Sequence, residues 1–124
     1  MTAVVDASVI LAWLQGEPGT DEAEPMLVEG IVGAANWSEV LQKARQHGAP
    51  ADIVGRLLVS FGLTVHDVTR ADAEAAADLW RPGIALSLAD RLCLALGLRM
   101  ELPVATADAA WAEVENGPTV VLIR

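Results

Sequence analysis

The sequence predicts an α/β fold, a parallel β-sheet with helices on both faces. Three observations carry this reading. Short β-rich apolar runs alternate with helix-forming segments along the whole chain, which is the pattern of strands joined by helical crossovers. Two of the helical segments are apolar on nearly every side, so they need cover all round. The chain has 124 residues, 53% of them hydrophobic and 20% charged, which allows a substantial core. That length suits one compact domain, so residues 1–124 are read as a single unit, without repeat, linker or low-complexity tract.

Residues 2–5 form the first strand and end at Asp6. Residues 8–15 follow as a buried helix that Gly16 and Pro18 stop. Residues 20–29 are read as a second helix, its regularity limited by Pro25, and Gly30 introduces a second strand over 31–34. A helix then begins at Trp37, because Trp37, Val40, Leu41 and Ala44 share one face, and His47-Gly48 ends it. Residues 50–61 carry another helical pattern, and 63–68 alternate as a third strand. The Ala-rich stretch 69–80 is helical and is closed by Arg81-Pro82-Gly83. Residues 87–98 repeat the helical spacing at Ala89, Leu92, Cys93 and Leu96. Strands at 103–106 and 119–123, separated by a short helix over 108–115, complete a count of five.

Composition narrows the function classes. The formal charge is −9, from 17 acidic and 8 basic residues, the opposite of the footprint of a protein that simply adheres to nucleic acid. A metal-dependent enzyme escapes this objection, because divalent cations place positive charge where a phosphate must sit. The single cysteine, Cys93, lies in an apolar run and is read as a buried small hydrophobe in a reducing compartment. The first basic residue is Lys43 and no apolar run is long enough to span a bilayer, so a cytoplasmic protein with no membrane association is expected.

Four acids stand where ligands bind in such a fold. Asp6 ends the first strand and Asp108 follows the fourth, and such positions line the carboxyl edge of a doubly wound sheet. Glu39 and Asp90 fall in the first turns of helices, off the apolar stripes. Each acid has an ordinary alternative as a helix cap: Asn36-Trp37-Ser38-Glu39 and Ser87-Leu88-Ala89-Asp90 resemble capping boxes, and Asp6 and Asp108 could be plain N-caps. A cap can equally be Ser, Thr or Asn, so acids at every such edge point to hard, oxygen-liganded cations such as Mg²⁺ or Mn²⁺. Ser8 and Thr106 are supporting candidates that could orient a carboxylate. His47 and His66 lack a zinc-binding spacing and are read as structural. Trp13, Trp37 and Trp80 belong to apolar helical faces and are assigned to the core, leaving Trp111 outside that assignment. Lys43 could pair with Glu39 along its helix.

Taken together, Val4-Val5-Asp6-Ala7-Ser8, Asn36-Trp37-Ser38-Glu39-Val40, Leu86-Ser87-Leu88-Ala89-Asp90 and Ala105-Thr106-Ala107-Asp108 resemble the successive acidic motifs of PIN domains, and within them the VapC-type toxins of bacterial toxin–antitoxin pairs. The resemblance covers essentially the whole chain. It implies a PIN-like three-layer sandwich around a five-stranded parallel sheet, homodimerisation, Mg²⁺- or Mn²⁺-dependent endoribonuclease activity, and inhibition by a cognate antitoxin. It also implies that Asp6, Glu39, Asp90 and Asp108 are the catalytic metal ligands. One departure is Ala109-Ala110, where similar sequences often place a basic residue after the last acid. Two rival readings compete with this one. A phosphoacceptor domain also groups carboxylates around Mg²⁺ but needs a lysine near the end of a late strand, and the only lysine is Lys43. A non-catalytic interaction module with the same fold is opposed only by the presence of all four acids.

Overall fold

The computed structural model describes residues 2–124. The strands are β1 (Val4–Val5), β2 (Ile31–Gly33), β3 (Thr64–His66), β4 (Val104–Thr106) and β5 (Val120–Leu122), and the helices are α1 (Ala7–Gln15), α2 (Thr20–Leu27), α3 (Ala34–Gln46), α4 (Ala51–Ser60), α5 (Arg70–Asp78) and α6 (Leu88–Met100). All five strands lie in one parallel sheet of order β3-β2-β1-β4-β5. The chain therefore builds outward from β1 in one direction and then returns to fill the other side. The reversal falls between β1 and β4, and a parallel sheet opens a crevice beyond the carboxyl ends of its strands at such a point.

The central strands show why both faces are covered. Neighbouring residues of a strand point to opposite faces. Val4 packs into one core with Cys93, Leu94, Leu96, Val104 and Trp111, whereas Val5 packs into another with Val9, Ile10, Val32, Val40 and Leu58. No side chain of β1 is left for solvent, and Val4 and Val5 are both fully buried. Helix α6 lies close against the sheet because Gly97 permits it: a Cβ there would run into the Val104 side chain and lie 3.3 Å from the Leu102 carbonyl oxygen. Helices α5 and α6 are joined by a bidentate pair, in which Arg99 Nε and Nη2 donate to Asp72 Oδ1 and Oδ2 at 2.8 and 3.2 Å. Burial of Asp72 raises its carboxyl pKa, but the Arg99 and Thr69 hydrogen bonds outweigh this and hold it below the usual carboxylate range.

Several boundaries differ from the sequence reading. Helix α3 starts at Ala34 rather than Trp37, and β2 ends at Gly33, because the strand passes into the helix with no intervening turn. Gly33 is the N-cap, with no side-chain cap hydrogen bond, so Asn36 to Glu39 is not a capping box. The third strand shortens to three residues. Helix α6 extends to Met100 and ends at left-handed Glu101. The short helix after Asp108 is a 3₁₀ helix over Ala109–Glu113. The tryptophan assignment is overturned at Trp80, which is 55% exposed just past the end of α5, whereas Trp111, left outside that assignment, is buried among Val4, Leu86 and Val104. Cys93 is buried, and burial pushes its thiol pKa well above the ordinary value, as befits a small core hydrophobe.

Candidate active site

Asp6 continues the ladder from β1, its N–H donating to the Ala105 carbonyl at 2.9 Å. It precedes α1, yet its side chain makes no cap hydrogen bond. The carboxylate is instead buried between two hydroxyls: Ser8 Oγ donates to Oδ2 at 2.7 Å and Thr106 Oγ1 donates to the same oxygen at 3.0 Å. Ser8 and Thr106 are themselves fixed, since Ala107 N donates to Ser8 Oγ and Asp108 N donates to Thr106 Oγ1. This network ties the ends of β1 and β4 together across the switch point. It engages Oδ2 twice and turns Oδ1 toward α3.

There Asn36 meets it. Its side chain is 1% exposed, and its Nδ2 donates to Asp6 Oδ1 at 3.4 Å, to Glu39 Oε1 at 3.1 Å and to the Ala89 carbonyl at 3.4 Å. One amide thus links β1, α3 and the start of α6. Asn36 Oδ1 is buried and has no hydrogen-bond partner. Sequence reasoning took Asn36 only for a helix cap. The overlooked signal is its position three residues before Glu39, which puts both on one helical face.

The electrostatics show which acids share space. Burial raises the Asp6 pKa to about 6; the Ser8 hydrogen bond opposes the rise, the Asp90 charge adds to it, the Thr106 hydrogen bond opposes it and the Glu39 charge adds again. Glu39 is also raised, by burial first and by Asp90, against the lowering influence of the Asn36 hydrogen bond and Lys43. Asp6, Glu39 and Asp90 are therefore one coupled group. Asp90 also caps α6: Ser87 N donates to its Oδ2 at 3.0 Å and Asp90 N donates to Ser87 Oγ at 3.1 Å. Capping and membership of the cluster coexist in that residue. Asp108 stands apart. It is exposed, its Oδ1 accepts from Ala110 N at 3.0 Å as the cap of the 3₁₀ helix, and its charge is not among those that shift Asp6.

The donors are all oxygens, and among the described residues no lysine or arginine forms an ion pair with Asp6, Glu39 or Asp90. A buried carboxylate without a cationic partner, next to a second and a third carboxylate, is suited in chemistry to a hard divalent cation. The spacing is more open than the chemistry: among the described residues no three acidic, histidine or cysteine groups are arranged to hold one ion. Each of the three carboxylates accepts a hydrogen bond from a nearby N–H or O–H.

The fold has solved counterparts. A toxin–antitoxin complex from Klebsiella pneumoniae superposes with a TM-score of 0.77 at 20% identity, covering 98% of each chain. DNA-bound VapBC from Salmonella typhimurium gives 0.77 at 17% identity over 100% of each chain. VapC20 from Mycobacterium tuberculosis, described as a sarcin–ricin loop cleaving toxin, gives 0.72 at 14% identity over 92% of this chain and 96% of that one. None of the curated proteins matches the sequence. The family model of the PIN domain matches residues 3–117, from the first strand to beyond the 3₁₀ helix. With all but the ends of its length matched, the chain belongs to the PIN domain family.

Proposed function

We propose that the protein is a Mg²⁺- or Mn²⁺-dependent endoribonuclease, the toxin of a type II toxin–antitoxin pair, acting as a single-domain cytoplasmic protein on RNA phosphodiesters. The observation that carries this reading is the coupled cluster of Asp6, Glu39 and Asp90 at the switch point, with Asp6 buried and unpaired by any cation. The solved counterparts described as toxins or toxin–antitoxin complexes support the toxin role, and the one described as cleaving the sarcin–ricin loop supports RNA as substrate. Among the described residues no helix is long and apolar enough to cross a membrane.

In this reading Asp6, Glu39 and Asp90 hold the cation, and Asp108 completes the site from the rim through its link to Thr106. When bound, the cation supplies the charge that polarises a phosphodiester and acidifies water for in-line attack. Ser8 and Thr106 keep Asp6 Oδ2 engaged, and Oδ1 is turned toward Asn36 and α3. Asn36 holds Asp6 and Glu39 side by side in spite of their charge. No side chain need act as nucleophile.

The homodimer and the antitoxin belong to the same proposal. Support for a covered surface comes from α4, where Ile53, Leu57 and Val59 are 54%, 43% and 53% exposed. The leucines of α6 give less, because Leu94 and Leu96 are internal and only Leu88 and Leu98 face outward. A second reading, a non-catalytic PIN-fold interaction module, is favoured by the open spacing of the acids. Calorimetry with Mn²⁺ and an RNA cleavage assay on the same preparation separate the two. Saturable Mn²⁺ binding with cleavage that stops on adding a chelator supports the nuclease; cleavage that continues in excess chelator, or no Mn²⁺ binding at all, removes it.

A further inference from the structure

A second concavity opens beside the acids, and the chemistry above makes no use of it. It is a cavity of about 380 Å³ between the segment that joins α5 to α6 and the 3₁₀ helix that Asp108 caps. Leu79, Ile84, Leu86 and Val114 give it aliphatic walls, and Glu113 and Glu115 bring carboxylates to its lining. Arg81 also lines it, but its Nη1 donates to the carbonyls of Asp78 and Trp80, which turns the guanidinium back onto the end of α5. Both walls are tied to the candidate active site. Ala110 lines the cavity while its N–H donates to Asp108 Oδ1, and Leu86 directly precedes Ser87, which is hydrogen-bonded to Asp90. Along the first wall the backbone N–H groups of Gly83 and Ala85 donate to no backbone or side-chain group among the described residues, leaving them free for a ligand.

We propose that this cavity is a nucleobase subsite which takes a guanine next to the scissile phosphate; the proposal rests on the nuclease reading. Ligand pockets range over roughly 300–1,000 Å³, so a cavity of this size holds one nucleoside and little more. Single-stranded RNA is recognised through bases that are splayed out, held at their ring faces and hydrogen-bonded at their edges. Flat aliphatic walls supply the first contact. Carboxylates supply the second, and they select: an ionised carboxylate only accepts hydrogen bonds. Guanine offers N1–H and the 2-amino group side by side. Uracil flanks its one N–H with two carbonyl oxygens, which a carboxylate repels. The same charges repel a phosphate, so the cavity takes a base and leaves the backbone to the acid cluster. Ala110 is a small residue of the lining, so a leucine there adds bulk to the cavity wall.

The test maps cleavage sites on a randomised single-stranded RNA pool with Mn²⁺, for wild type, Ala110→Leu and Glu113→Gln. Wild type is expected to enrich guanine at one fixed position beside the cut, by roughly tenfold if a carboxylate reads both donors. Ala110→Leu flattens that enrichment and Glu113→Gln lessens it. Glu24→Gln, on the exposed face of α2 and outside the cavity lining, leaves the pattern as in wild type. A wild-type pattern without base preference, or the same pattern in all variants, overturns the subsite. A titration with guanosine, followed by amide NMR shifts at Gly83, Ala85 and Ala110, separates this idea from the nuclease reading. Shifts there without any RNA cleavage keep the guanine site and remove the nuclease. Cleavage without shifts and without preference keeps the nuclease and removes the site.

Discussion

Replacing Asp6 by Asn should raise the stability of the metal-free protein while abolishing Mn²⁺ binding and cleavage. The Asp6 pKa is raised from 3.8 to about 6. A shift of about two units corresponds to about 3 kcal/mol of stability that is present when the carboxyl is neutral and absent when it is ionised. The sign follows from the direction. A raised pKa contributes stability that is complete below 3.8 and lost as pH rises through about 6, so at pH 7 the folded state carries the full penalty. Asn removes the charge and can still accept from Ser8 and Thr106. Its amide, however, meets the Asn36 amide with one donor facing another, which offsets about 1 kcal/mol. The expected gain is therefore about 2 kcal/mol, or a Tm rise of roughly 6–10 °C for a domain of this size. Thermal melts of both proteins at pH 7 and pH 4.5, with chelator and with Mn²⁺, measure it. The gap should narrow at pH 4.5 as wild-type Asp6 takes up its proton. An Asn variant that melts at or below wild type at both pH values, or that keeps the Mn²⁺-induced rise in Tm, refutes this account of Asp6.

Asp90→Asn should lower metal-free stability by at most about 1 kcal/mol, because Asn can still accept from Ser87 N, and should nonetheless remove the Mn²⁺-induced rise in Tm. Asp72→Ala removes the capping-box acceptor of Thr69 N and the bidentate partner of the exposed Arg99, and should destabilise by about 1–2 kcal/mol, measured by urea unfolding. Because the Asp72 pKa is lowered, that contribution is present above the ordinary carboxylate pKa and fades as pH falls through the depressed one, so the two proteins should converge in strong acid. Gly97→Val should cost at least about 1–3 kcal/mol, since the added side chain meets Val104 and the Leu102 carbonyl; a variant as stable as wild type shows that α6 is free to move away from the sheet.

The order and kind of elements were legible because each buried strand is a compact apolar run and each helix shows a face. Boundaries were less so. Between Gly33 and Trp37 the sequence has no turn residue to mark where strand becomes helix, and Asn36 reads equally well as a cap or as an interior polar residue. Only the fold brings Asp6 against it from thirty residues away. The tryptophans misled for a related reason: Trp80 continues a helical period past the helix end, where no neighbour covers it, whereas Trp111 follows an acid and two alanines with no period at all, yet the 3₁₀ turn swings it inward. Asp6, Asp90 and Asp108 could be read from strand and helix ends, whereas Glu39, expected in a first turn, lies in the second turn of α3 because that helix starts at Ala34. The grouping of the acids could not be read. Asp90 both caps and couples to Asp6, so the two roles weighed against each other in the sequence are not exclusive. How far Asp108 stands from the others depends on the turn after β4, which the sequence does not determine.

The hydrogen-bond donors of the cluster explain how three acids are held close together there. Ser8, Thr106 and Asn36 are all neutral, and together they reach both oxygens of Asp6 and one of Glu39. An arginine in their place would steady the carboxylates more strongly, as Arg99 does for Asp72. It would also discharge the cleft and compete with any cation that enters. Burial pushes both carboxyl pKa values up; the neutral donors offset only part of this at Asp6, whose pKa stays raised, whereas Arg99 together with Thr69 outweighs it at Asp72. The same fold thus contains two buried aspartates with opposite solutions to one problem. Asp72 is paired for stability, and Asp6 is kept poised at a stability cost that only a bound divalent cation, or a proton, can relieve.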